Sequence, residues 1–214
     1  KVDTGPPARS GPAVFSLIAV SAVAISVERV YPLLLGWSAT PVEAAVFAVV
    51  LRVIQLANFT QAFAIFYYSP SLAVLLGAKR DSQQLRKIAR RIRGMSLVVA
   101  LPIAVAATTS PPLFERYVAP GLNLRSVLPI AAVGIVMQAI GGPSQAICIM
   151  GKREVEVAIA YLIGALLSTV LFTASVPLVQ KEIAATIGLV AALTTWNLIL
   201  AIRARSLLVS ESRH

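Results

Sequence analysis

The sequence predicts an all-α, polytopic membrane bundle of about six transmembrane helices with both termini in the cytoplasm. Three observations carry that expectation. Hydrophobic residues fill 57% of the 214 positions and charged ones only 13%, with a mean hydropathy of +0.82, far more apolar surface than one water-soluble core can hide. Six continuous apolar windows are long enough to cross a bilayer, at 12–36, 42–69, 95–112, 126–150, 156–178 and 183–202. The connections between them alternate between rich and poor in lysine and arginine, as multi-pass topology requires. Lipid offers the backbone no hydrogen bonds, and continuous rather than alternating apolar runs favour helices over a closed barrel.

Residues 1–11 read as a cytoplasmic linker or tail, since KVDTGPPARSGP is polar and Pro/Gly-rich. The stretch opens without Met or a legible signal peptide, so it is expected to join upstream sequence. The bundle then occupies 12–203. Its first two windows are joined by a tight outer turn near Ser38 to Pro41, and Pro70 is expected to end the second. The segment DSQQLRKIARRIRG, about 81–93, has a capping Asp81 and an apolar face of Leu85, Ile88, Ala89 and Ile92. It predicts a separate amphipathic interfacial helix, held by anionic headgroups or serving as a dedicated substrate or partner site. SPPLFERYVAPGLNLRS is the one long outer connection, with Pro111, Pro112, Pro120 and Gly121 preventing a continuous helix. In the last two windows, Ala160, Gly164 and Ser168 and then Ala184, Gly188 and Ala192 form small-residue ridges that predict a tight hairpin. Residues 204–214 are a cytoplasmic tail.

Of the 19 lysines and arginines, 14 fall on the side of the N-terminal tail, Arg116, Arg125 and Lys181 on the other, and Arg29 and Arg52 inside spans. That asymmetry puts both termini in the cytoplasm. The net charge of +10 therefore reflects topology, and nucleic acid is not an expected partner. Cys148 is the only cysteine and His214 the only histidine, leaving no disulfide framework, metal site or cofactor to expect. The acidic residues, Glu28 apart, lie in tails, connections or at span ends, so no catalytic constellation forms and the protein is not expected to be an enzyme.

The candidate site residues are polar groups inside the spans. Glu28, Arg29 and Arg52 lie about 13–16 Å below the outer turn at 1.5 Å rise per residue, near the middle of a hydrocarbon core roughly 30 Å thick. Each charge there costs roughly 2.5–3.5 kcal/mol, so these side chains should face one another or a wet cavity. An internal ion pair fixing helix register is one reading; an uncompensated positive charge favours the cavity. Arg52, Gln55, Asn58 and Gln61 recur every third residue, a polar stripe winding around its helix that either lines a path or glues helices together. In the fourth window, Gln138 and Gln145 flank Gly141, Gly142 and Pro143, which predicts a broken helix and a hinge, or a simple kink.

The run ERVYPLLLGWSATPVEAAVFAVVLRVIQLANF, then SPSLAVLLGAKRDSQQLRKIARR, then GGPSQAICIMGKREVEVAIAYLIGALLSTVLF resembles the second half of bacterial polysaccharide flippases, in the multidrug, oligosaccharidyl-lipid and polysaccharide flippase superfamily. The resemblance runs from about residue 12 to 203. It implies one half of a transporter that moves lipid-linked sugars across the bacterial inner membrane by alternating access, with a second six-helix half or another copy as partner beside the membrane lipids. It also implies that Arg52 faces the cavity, with Glu28 and Arg29 matching a charged site only loosely. A multidrug or metabolite exporter of the same superfamily is the alternative, and a noncatalytic membrane scaffold subunit is the alternative of another kind.

Overall fold

A computed structural model describes residues 29–77 and 82–210. Every regular element among them is helical: α1 at 29–38, then α2 (Pro41–Gly77), α3 (Ser82–Thr109), α4 (Pro111–Tyr117), α5 (Leu128–Met150), α6 (Glu154–Ser175) and α7 (Lys181–Ser210). Five of these, α2, α3, α5, α6 and α7, are long and apolar enough to cross a membrane. The chain is thus a multi-pass helical membrane protein. The window at 12–36 falls mostly on residues outside those described, as does the linker at 1–11.

Local chemistry explains the turn at 39–40. Thr40 and Glu43 form a reciprocal capping box: the Thr40 amide and hydroxyl donate to Glu43 Oε2 at 2.6 and 2.9 Å, and the Glu43 amide donates to Thr40 Oγ1 at 3.3 Å. Pro41 follows at the first helical position, where its missing N–H costs nothing.

Three sequence expectations about helix breaks are corrected. Pro70 does not end the second span, because α2 runs through it to Gly77. The amphipathic segment 81–93 is not a separate helix either, because α3 passes through Gly94 into the next span. A glycine in a helix costs about 1 kcal/mol relative to alanine. Against that stands one stripe of buried residues, Leu85, Ile92, Ser96, Ala100, Ala104 and Ala107, whose helical spacing is kept only if the turn is kept. Nor is α5 broken at Gly141–Pro143; it is helical from Leu128 to Met150. In lipid an open backbone has no water to turn to, so helices continue across prolines that would end them in solution. Hydroxyls bonded to the backbone support this, as where Ser69 Oγ donates to the Ile65 carbonyl at 2.7 Å, one turn before Pro70.

The bundle is organised around α5, which packs against α2, α3 and α7, while α6 packs on α7. The small-residue ridges meet as their spacing predicts. A Cβ on Gly164 would lie 3.1 Å from the Ala192 carbonyl oxygen and 3.2 Å from the Trp196 ring, and a Cβ on Gly188 would lie 3.1 Å from the Ser168 carbonyl oxygen. Tyr31 joins α1 to this hairpin: its hydroxyl hydrogen-bonds that of Ser168, and its ring stands edge-on to Phe47 and Phe172 at 5.8 and 5.6 Å. At the end of the bundle that carries the 39–40 turn the Lys181 ammonium donates to the Ser38 carbonyl, and Glu115 accepts from the Leu124 amide at 2.9 Å. At the opposite end Glu156 lies 3.2 Å from Arg153 and 3.6 Å from Arg203, closing the α5–α6 turn onto α7.

These approaches leave little room at Gly188. A Cβ there would sit 2.6 Å from Tyr31 Oη, a ring already held by two aromatic neighbours. Gly188→Ala is expected to destabilise the bundle by about 1–3 kcal/mol, read as a lower thermal midpoint in detergent. Gly36→Ala, whose Cβ meets nothing within 4 Å, should leave it unchanged or raise it slightly. Equal midpoints for wild type and Gly188→Ala would contradict this packing.

Candidate functional site

The polar stripe of α2 behaves as its three-residue spacing requires. Each step of three residues falls 60° short of a full turn, so three steps carry the stripe to the opposite face of the helix. Arg52 is accordingly exposed, Gln55 and Asn58 are half-buried, and Gln61 is only 5% exposed.

Arg52 opens on the flank of the bundle. It lines a groove of about 370 Å³ with Val49, Val53 and Leu56 of α2 and with Phe114 and Val118 near α4. Its Nη1 donates to Gln55 Oε1 at 3.4 Å, a long bond. Among the described residues no enclosed central cavity surrounds it. Arg29 is exposed at the start of α1, and Glu28 lies outside the described residues, as does any pairing it makes. Of the three expected charges, the two described ones are thus on the surface of the described bundle and are not brought together.

The other end of the stripe enters a polar seam where α2, α5 and α7 meet. Asn197, buried on α7, donates from Nδ2 to Gln138 Oε1 of α5 at 2.8 Å and to its own Leu193 carbonyl at 2.8 Å. Gly141 and Gly142 make room for this seam. A Cβ on Gly141 would fall 2.1 Å from Asn197 Oδ1 and 2.5 Å from Asn197 Cβ; one on Gly142 would fall 2.1 Å from Gln61 Nε2. The two glycines therefore admit one polar side chain each, from α7 and from α2. Asn58 Oδ1, Gln61 Oε1 and Asn197 Oδ1 are buried acceptors that no donor among the described residues reaches. Such a group costs about 1–3 kcal/mol, so the seam is suited to hydroxyl or amine donors. Neutral amides exchange no protons in the ordinary pH range, and no group of histidine, cysteine or carboxylate ligands capable of holding a metal occurs among the described residues.

Pro143 has no N–H for the Ala139 carbonyl, and in the next position Arg93 of α3 reaches in: its Nε donates to the Ile140 carbonyl at 3.2 Å. The Ile140–Pro143 stretch is thus contacted from three helices. Two members of this constellation are missed by sequence reasoning. Arg93 reads as the last of a run of interfacial cations, and nothing local separates it from Arg90 or Arg91. Asn197 lies alone in an apolar window, TTWNLIL, and that isolation is the signal that could have found it. Gln145, flagged with Gln138, is half-buried on the far side of Pro143.

Comparison of the chain with protein-family models, with curated proteins and with solved structures finds no match. The site is therefore read from its own geometry.

The two glycines differ in what they touch, and so should their variants. The neighbour of Gly142 is the far end of a flexible glutamine, whereas Gly141 faces the Cβ of Asn197, which no rotamer can move. Gly142→Ala is expected to cost little and to be restored by Gln61→Ala. Gly141→Ala should cost about 1–3 kcal/mol, with rescue by Asn197→Gly but not by Asn197→Ala. Thermal midpoints of the five variants in detergent check this; rescue of Gly141→Ala by Asn197→Ala would show that the helices are not in the described contact.

Proposed function

We propose that the chain is one half of a transporter in a bacterial inner membrane that moves an anionic, lipid-linked oligosaccharide or polysaccharide precursor between leaflets. The observation that carries this reading is the course of the α2 stripe, from an exposed cation on the bundle's flank beside Phe114 and Val118 to a buried amide seam against Gly141 and Gly142. A guanidinium on an apolar flank within the spanning helices is costly unless a counter-charge or a second protein surface covers it. Its planar donors suit phosphate oxygens bidentately, and the unpartnered amide oxygens of the seam suit sugar hydroxyls. Position on the flank is what a half-transporter needs, because the covering surface comes from a second half or another copy. An exporter of cationic drugs is less well served, since Arg52 and Arg29 are both cations. A scaffold subunit has no use for acceptors left without donors.

The orientation assigned with this reading places both termini and the N-terminal part of α3 in the cytoplasm, following the lysine and arginine asymmetry. Single cysteines at Ser82 and Asn123 in a Cys148→Ser background should label from opposite sides, with Asn123→Cys reactive in intact cells. Reaction of both from outside would overturn the orientation.

Binding of a pyrophosphate-linked lipid to the purified chain in lipid nanodiscs tests the role of Arg52. Arg52→Ala should weaken binding by about tenfold or more, the scale of a charge-assisted hydrogen bond. Arg52→Lys should recover part of it, keeping the charge without the fork. Equal affinity for all three proteins at equal folded yield would make Arg52 a structural residue and remove the centre of the proposal.

A further inference from the structure

The N-terminal third of α3 carries a second cationic feature that the transport reading leaves unused. Gln83, Gln84, Arg86, Lys87, Arg90 and Arg91 line a concavity of about 660 Å³. At 100° per residue these six positions occupy one arc of the helix. The opposite arc holds Leu85 and Ile92, both buried, and the half-buried Ile88 and Ala89. One face is thus fixed into the bundle and the other turned outward. The sequence of α3 contains no aspartate or glutamate. Arg86 and Arg90, and likewise Lys87 and Arg91, are spaced i, i+4, at which like charges repel unless an anion lies between them.

The continuity of α3 fixes the depth of this face. Its 28 residues span about 42 Å at 1.5 Å each, against a hydrocarbon core of roughly 30 Å. With Thr109 at one boundary, about eight residues at the other end stand clear of the core. That places Arg86 and Lys87 in the headgroup layer and Arg90 and Arg91 at its edge, where long side chains reach out to phosphates. A helix lying free on the surface could slide or rotate, but a helix that continues into a packed span holds its cations at one height.

We infer that this face of α3 is a binding site for the phosphates of anionic phospholipids in the leaflet that surrounds it. The inference is independent of Arg52 and of any transported molecule. Depth argues for lipid over a soluble anion, and charge complementarity argues for an acidic headgroup over a zwitterionic one. Each cation near an anionic surface contributes about fivefold in binding, so four of them are ample for selection among headgroups.

The test is lipid retention by the full-length chain. The purified protein in detergent is equilibrated with equal amounts of phosphatidylglycerol and phosphatidylcholine of the same acyl chains, and the lipids that stay bound are quantified. Wild type is expected to enrich phosphatidylglycerol about tenfold. The R86Q/K87Q/R90Q/R91Q variant should fall to near parity, while R86K/R90K/R91K, which keeps the charge, should retain most of the preference. The variant R116Q/R125Q, at the opposite end of the bundle, should behave as wild type. Gel filtration and thermal midpoint establish that each variant is folded, and the charge-keeping variant carries the test if the neutral one is not. No enrichment by wild type, equal enrichment by the neutral variant, loss of preference in folded R86K/R90K/R91K, or equal loss in R116Q/R125Q would each overturn the site. So would binding of inorganic phosphate or of an RNA oligonucleotide to this face in place of phosphatidylglycerol.

Discussion

Hydrocarbon offers an amide nothing to bond with, so each polar group in a spanning helix must find a partner on another helix or be turned toward a surface where one is supplied. That constraint orders the bundle around the middle of α5. Gln138 takes the Asn197 amide, Arg93 takes the Ile140 carbonyl, and Gly141 and Gly142 lower the surface of the helix so that Asn197 and Gln61 come against its backbone. Three neighbours thereby converge on one stretch of one helix. The same stretch has a donor missing at Pro143, and buried oxygens beside it meet no donor among the described residues. A junction of four helices is thus also a place where hydrogen bonding is incomplete.

Much of this was legible in the sequence wherever the information is periodic. Spacing of four between small residues was enough to foresee the α6–α7 hairpin, because close approach needs only that those positions share a face. Spacing of three was enough to foresee a polar stripe winding around α2, but not that its Arg52 end lies exposed on the flank and its Gln61 end buried. The breaks expected at Pro70, Gly94 and Gly141–Pro143 did not occur, because their weight was taken from helices in water. A local penalty of about 1 kcal/mol for glycine or 3 for proline competes here with the several kcal/mol of each backbone group that a break would open to lipid. What periodicity does not carry is distance between helices. Asn197 and Gln138 are 59 residues apart and Arg93 and Ile140 are 47 apart; neither pairing leaves a trace in either local sequence.

The two ends of the α2 stripe differ in what they ask of their surroundings. Gln61 is closed in by α5, and its needs are met or left unmet by the bundle itself. Arg52 faces outward among Leu56, Phe114 and Val118, and its surroundings are set by whatever lies beside the protein. A long side chain on an apolar flank lowers its cost by aligning its stem with the hydrocarbon and directing its head toward polar surroundings, and the Gln55 amide is the first group it meets.

The length of α2 has a mechanical consequence. Its 37 residues make a rod of about 55 Å through a layer roughly 30 Å thick, and an apolar segment longer than its bilayer accommodates by leaning. The contact of Gln61 with Gly142 lies 20 residues from the Pro41 end, about 30 Å along the axis. That contact is a fulcrum with long arms on both sides. A change of lean of roughly 10° about it moves the Pro41 tip by about 5 Å on that arm length, while the contact itself shifts hardly at all. The lean of α2 is set by its packing against α3, α5 and α7, so whatever holds that packing also holds the turn at 39–40 in place.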